Sequence, residues 1–210
     1  MPFLAEFLTI ATIHLLAVMS PGPDFVLISR NSLMYSKKTA IYSALGLALG
    51  ILVHITYSLV GIGFIIASSV VLFSIMKFLS AGYLIYIGYK CIRSKPQRTE
   101  PGREIIKEQD LGRSAAIRMG FLTNVFNPKV TMFFFALFTQ VINPQTPLSV
   151  QILYGLEMSV MTFIWFATVA VILSNQHIKK RFHSIHYHLE KVFGVILIAL
   201  GIKVALSSSK

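Results

Sequence analysis

Six stretches of about twenty mostly apolar residues dominate this chain, at roughly 5–28, 40–62, 68–90, 117–140, 150–173 and 190–207. A helix of that length spans the hydrocarbon core of a bilayer. Strands of about ten residues alternating apolar and polar, the mark of a membrane barrel, are absent. Only 13% of the residues are charged, about half the share of a soluble domain, so too few charges remain to solvate a globular surface. The expected fold is therefore an all-α integral membrane protein with six transmembrane helices. Met1 to Glu6 carries no basic residue, so the first stretch reads as a retained span and not as a cleavable signal.

The net charge of +11 is distributed as a membrane surface requires, and not as a nucleic-acid footprint. Arg30, Lys37 and Lys38 follow the first span, eight basic residues lie from Lys90 to Arg118, and Lys179, Lys180, Arg181 and Lys191 precede the last span. Together they make up 15 of the 19 Lys and Arg residues. The intervening loops, around Gly61 to Ala67 and Val141 to Ser149, hold none. Basic residues in short loops stay cytoplasmic, so both termini are expected outside. Ser94 to Gly102 reads as a linker, and Glu104 to Arg118 as a short surface helix. Lys77 and Lys203, near outer span ends, are expected to snorkel.

Enzyme and metal chemistry find little support. HExxH, GxSxG and close carboxylate pairs are absent, and Cys91 is the single cysteine. His177, His183, His186 and His188 cluster, but among Lys179, Lys180 and Arg181, which repel cations. No metal site and no cofactor are expected.

Two spans contain helix breaks. In the first, Ser20-Pro21-Gly22-Pro23-Asp24 removes two backbone donors, so the carbonyls of Ala17 and Met19 lose their helical partners. In the fourth, Pro128 of Asn127-Pro128-Lys129 removes one more. Each break has a cap-competent residue (Gly22, Asn127), then a proline, then a charge (Asp24, Lys129), which is a helix-start signal. In lipid, such a break is tolerated only where protein or a water-filled cavity satisfies the freed groups. Both spans thus read as paired half-helices.

The two breaks lie about 105 residues apart, and Leu84 to Lys90 resembles Leu197 to Lys203 at an offset of 113. Duplicating a unit of three spans inverts the second copy, as the charge pattern also requires, and inverted repeats with broken helices are characteristic of secondary transporters. The expected organisation is a first three-helix repeat over 1–92, a basic cytoplasmic loop over 93–116, and a second, inverted repeat over 117–210.

In span two, Tyr42, Gly46, Gly50, His54 and Ser58 share one helix face. Gly46 and Gly50 permit close helix contact. His54 and, in span five, Glu157 are intramembrane titratable groups, which are functional candidates by default. Packing is the competing role for His54, and snorkelling for Glu157.

These motifs identify a resemblance. The chain resembles the lysine-exporter and homoserine/threonine-exporter (LysE/RhtB-type) family of bacterial inner-membrane efflux proteins. The matching residues are Ser20 to Asp24, Gly46-x-x-x-Gly50-x-x-x-His54, Gly82 to Gly88, Gly120 to Lys129, and Gly194 to Gly201. The resemblance implies export of amino acids or similar small zwitterions from the cytoplasm, driven by the proton motive force. Some relatives carry an acid just after the second span's second glycine, where this chain has Ile51, so that acid's role does not carry over.

The candidate substrate-binding residues are Asp24, Asn124, Asn127, Lys129, His54 and Glu157. Asp24 is assigned to a substrate ammonium, and the Asn127–Lys129 end to its carboxylate, aided by half-helix N-termini. The competing reading for Asp24 and Lys129 is a structural ion pair. A passive channel or facilitator is the alternative function. The expected partners are the substrate and the bilayer, without nucleic acid; homo-oligomerisation stays open.

Overall fold

A computed structural model describes residues 2–20, 22–68, 70–93, 109–143, 145–175 and most of 191–206. Pro21, the 94–102 linker and the histidine cluster at His177, His183, His186 and His188 lie outside the described residues.

The described residues are helical almost throughout. The helices are α1 (Pro2–Met19), α2 (Pro23–Met34), α3 (Lys37–Ser68), α4 (Val70–Arg93), α5 (Arg113–Val125), α6 (Pro128–Gln140) and α7 (Leu148–Leu173). A last helix, α8, includes Leu197–Leu206. Over Lys37–Val60, α3 is long and apolar enough to cross a membrane by itself, as is α7. Two bent pairs qualify when each is taken as one span: Phe3–Met19 with Pro23–Met34, bent by 55°, and Arg113–Val125 with Pro128–Thr139, bent by 57°. The chain is thus an all-helical membrane protein with two to four candidate spans among the described residues, two of them broken.

Both breaks fall where the prolines put them. Gly22 is the extended N-cap of α2, with Pro23 at the first helical position. Asn127 caps α6 ahead of Pro128, and its side-chain oxygen accepts the Lys129 backbone N–H at 3.1 Å. Proline is favoured there because its missing N–H is one that no helix start uses.

The long helix α3 packs chiefly against α5 and α7, and α4 packs against α6. Close approach of α3 and α5 depends on facing glycines. A Cβ on Gly46 would strike the Ile117 carbonyl, and one on Gly120 would strike the Ser43 carbonyl. Gly50 plays a different part from Gly46: a Cβ there would come within 2.6 Å of Asn124 Oδ1, so its bareness makes room for the asparagine side chain. Gly88 of α4 and Gly194 face each other reciprocally, each Cβ position lying 2.6 Å from the other's carbonyl oxygen. Apolar side chains spaced along α7, among them Ile152, Leu156, Val160 and Ile164, point outward. That is the lipid face of a bundle helix.

Two local expectations need correction. Residues 109–112 are not helical; Gly112 is the N-cap, and Arg113 to Arg118 form the start of α5. Lys77 is buried instead of snorkelling, with its ammonium 4.8 Å from the Phe78 ring centroid. Cation–π attraction strengthens when the partners are desolvated.

Candidate functional site

The first break orphans the Ala17 carbonyl, because residue 21 is a proline and donates nothing back to it. The missing donor comes from the other half of the chain. Lys129 Nζ donates to Ala17 O at 3.1 Å, to Ser20 O at 2.6 Å and to Ser20 Oγ at 2.9 Å. A cation at the C-terminal end of α1 also opposes the negative end of its dipole. Gly22 lets the lysine lie across the gap, since a Cβ there would stand 3.3 Å from Lys129 Cδ.

The second break is repaired by the same logic with a different residue. Pro128 leaves Asn124 O without its helical donor. That oxygen receives His54 Nε2 at 3.0 Å and the Asn127 N–H at 2.9 Å. A carbonyl can only accept, so Nε2 carries the hydrogen; in the neutral ring Nδ1 then accepts from the Tyr57 hydroxyl. His54 stacks on Phe134, with ring centroids 5.6 Å apart.

The side chains at the two breaks are also joined. Asp24 Oδ2 accepts from Asn124 Nδ2 at 2.8 Å, and Oδ1 accepts from Asn127 Nδ2 at 3.1 Å. All four residues, Asp24, Asn124, Asn127 and Lys129, are buried. Burying charge in low dielectric is expensive unless it is paired and hydrogen-bonded, and here a carboxylate and an ammonium each hold polar partners from the opposite break.

These four residues line one cavity of about 40 Å³ between the breaks. Ser20, Gly22, His14 and Thr162 line it too, with Phe25, Phe133, Phe134 and Phe166. That volume is room for a few waters and not for a whole amino acid.

Sequence reasoning brought Asp24, Asn124, Asn127, Lys129 and Gly22 to one place. His54 stands behind that cluster, on the Asn124 carbonyl, and does not line the cavity. Glu157 lies elsewhere: half-buried on α7, outside the cavity lining, with no hydrogen-bond partner for either oxygen. Three residues were missed. Ser20 was read only as part of the proline motif, although its hydroxyl is a natural partner for a cation. His14 and Thr162 sit in apolar runs with no local motif, and only the intramembrane imidazole carried a signal. Among the described residues no cluster of His, Cys, Asp or Glu could hold a metal ion.

Helices broken at paired prolines, with charges and amides gathered around one cavity between the breaks, are the architecture of a membrane transporter. The chain belongs to the LysE type translocator family, whose model matches residues 15–208. It is thus a multi-pass membrane translocator and not an enzyme. It is 29% identical over 198 residues to the uncharacterized membrane protein YrhP of Bacillus subtilis (strain 168), covering 90% of this chain and 93% of the relative. It is 27% identical over 203 residues to the threonine efflux protein of Escherichia coli (strain K12), covering 96% and 98%. The threonine efflux protein of Salmonella typhimurium (strain LT2) is also 27% identical over 203 residues. Homology to these efflux proteins supports amino-acid efflux in general. No solved structure matches the chain.

Proposed function

We propose that this protein is a secondary exporter of small zwitterionic amino acids, coupled to the proton motive force of a bacterial inner membrane, with its binding site at the junction of the two helix breaks. The observation that carries the reading is the buried Asp24–Asn124–Asn127–Lys129 cluster lining one cavity between the breaks. Asp24 meets the substrate ammonium, because a carboxylate accepts about four hydrogen bonds and Asn124 and Asn127 supply one each. Lys129 meets the carboxylate. Its bonds to Ala17 and Ser20 are to uncharged oxygens, so trading one for a carboxylate gains a stronger charge-assisted bond.

Further support concerns organisation: six spans as two inverted repeats, with residues 93–116 as a cytoplasmic connection and both termini outside. Gly88 packs on Gly194 and Gly201 on Ala81, an antiparallel pairing in which the offset of 113 carries Gly88 to Gly201 and Ala81 to Gly194, one contact onto the other.

Accumulation separates a carrier from a passive facilitator. Inside-out vesicles containing the protein should concentrate an amino acid when energised, and lose that gradient on addition of a protonophore. Equilibration without accumulation would establish the facilitator and remove the exporter.

A further inference from the structure

The two amides that hold Asp24 differ in what they can do next. Asn127 is fixed at both ends: its oxygen accepts the Lys129 backbone N–H at 3.1 Å, and its nitrogen donates to Asp24 Oδ1 at 3.1 Å. Asn124 donates to Asp24 Oδ2 at 2.8 Å, yet its own oxygen is buried with no hydrogen-bond partner. That oxygen lies against the bare backbone of Gly50, where a Cβ would stand 2.6 Å away. A primary amide carries donors on one side and an acceptor on the other. Turned over, Asn124 presents its oxygen to Oδ2, and an acceptor there suits a carboxylic acid and not a carboxylate. Either orientation leaves one end of the amide unpaired, so neither is locked. Asn127 cannot turn without releasing the α6 cap, which leaves Oδ2 as the oxygen that can take a proton.

The surrounding charges make that proton consequential. Among the described residues, the ionisable groups lining the cavity are His14 of α1, Asp24 of α2 and Lys129 of α6. The lining from α3, α5 and α7 is the uncharged set Ile51, Asn124, Thr162 and Phe166. His54 of α3 stands behind, on the Asn124 carbonyl. With Asp24 ionised, Lys129 charged and the imidazole neutral, the cavity has no net charge, and neither has a zwitterion. A proton on Asp24 gives the cavity one net positive charge and takes away the partner of the substrate ammonium.

We propose that Asp24 carries the coupled proton on Oδ2, with Asn124 turning over to accept it, so that proton and substrate ammonium exchange at one carboxylate. The proposal rests on the amino-acid exporter reading above. On the cytoplasmic side Oδ2 gives its proton to water as the ammonium arrives. After the amino acid leaves outside, an Oδ2 lone pair takes an external proton and the new O–H bonds to Asn124. Return of the protonated site moves one net positive charge inward for each amino acid exported, so the pH difference and the membrane potential both drive export.

Full-length protein in detergent would be titrated with threonine, alanine and lysine across pH in weak buffer. Competition for one carboxylate requires affinity to fall about tenfold per pH unit on the acid side, and reciprocity requires each bound amino acid to release close to one proton there. Infrared difference spectra should show the amino acid converting a carboxylic acid to a carboxylate. Asp24→Asn should lack that carboxyl signal on acidification alone, a comparison that needs no binding by the variant. Asn124→Ser, whose hydroxyl also donates and accepts, should keep the wild-type pH profile. Asn124→Leu does neither and should move its midpoint about one unit to higher pH, because the bond lost to a carboxylate is the stronger one. Thermal unfolding confirms that the variants fold. Affinity independent of pH, an imidazolium signal in place of the carboxyl one, or a carboxyl signal that survives Asp24→Asn would overturn the proposal. An unchanged profile in Asn124→Leu would overturn the turning amide. A wild type that binds none of the three amino acids would instead remove the exporter reading on which the proposal rests.

Discussion

Replacing Asp24 with Asn separates a binding role from a structural one, because the surrounding amides are unequally free. Asn127 is pinned: its oxygen accepts the Lys129 backbone N–H while its nitrogen donates to Asp24. Asn124 is not, since its oxygen has no hydrogen-bond partner. In Asp24→Asn, the new carboxamide oxygen can keep the Asn127 donor, and its NH₂ meets Asn124 once that amide has turned over. Two bonds to a charged acceptor become two neutral ones. At about 1.5–3 kcal/mol for each of the former and 0.5–1.5 for each of the latter, the fold loses about 2–3 kcal/mol. Transport should lose more. An ammonium deprived of its buried carboxylate forfeits about 2–5 kcal/mol, on the order of thirtyfold or greater in affinity. Lys129→Gln retains two of the three donors facing Ala17 and Ser20, so it too should fold. Efflux from preloaded cells, at matched membrane abundance, would compare both single variants with the double variant. If the residues grip opposite ends of a substrate, the double variant is at least as inactive as the worse single variant. Asp24→Asn should also impair export of an amino acid more than that of its N-acylated analogue, which has no ammonium. Recovery of transport in the double variant would refute the reasoning and reduce the two residues to a structural pair.

Pro128→Ala returns an N–H to a carbonyl already occupied by His54 and Asn127, so membrane abundance should hold while efflux falls at least about tenfold; normal efflux would dispose of the broken-helix mechanism. A Cβ at Gly120 meets the backbone of Ser43 and Leu47, which no rotamer can relieve. Gly120→Ala should therefore destabilise by about 1–3 kcal/mol or more, against little change for Gly82→Ala, where nothing lies within 4 Å; thermal unfolding in detergent measures both. Reporter fusions at Lys95 and Lys180 should read cytoplasmic, and at Thr146 and Lys210 external. A cytoplasmic signal at Lys210 would contradict the six-span inverted topology.

The sequence by itself determined the membrane class, the places where two helices break, and the residues that start the halves beyond. These are consequences of covalent chemistry and local pattern: a proline has no N–H in any fold, and a run of apolar side chains needs burial wherever it sits. That Ala17 O would be orphaned was also legible. That Lys129, 112 residues later, supplies its donor was not, because nothing local to either residue names the other. Helix packing decided this, as it decided that His54 serves the Asn124 carbonyl and that His14 meets Thr162 across 148 residues of chain. Backbone groups freed inside a membrane must find partners where water cannot provide them; the chain announces which groups those are, and only the assembled bundle determines which side chains reach them.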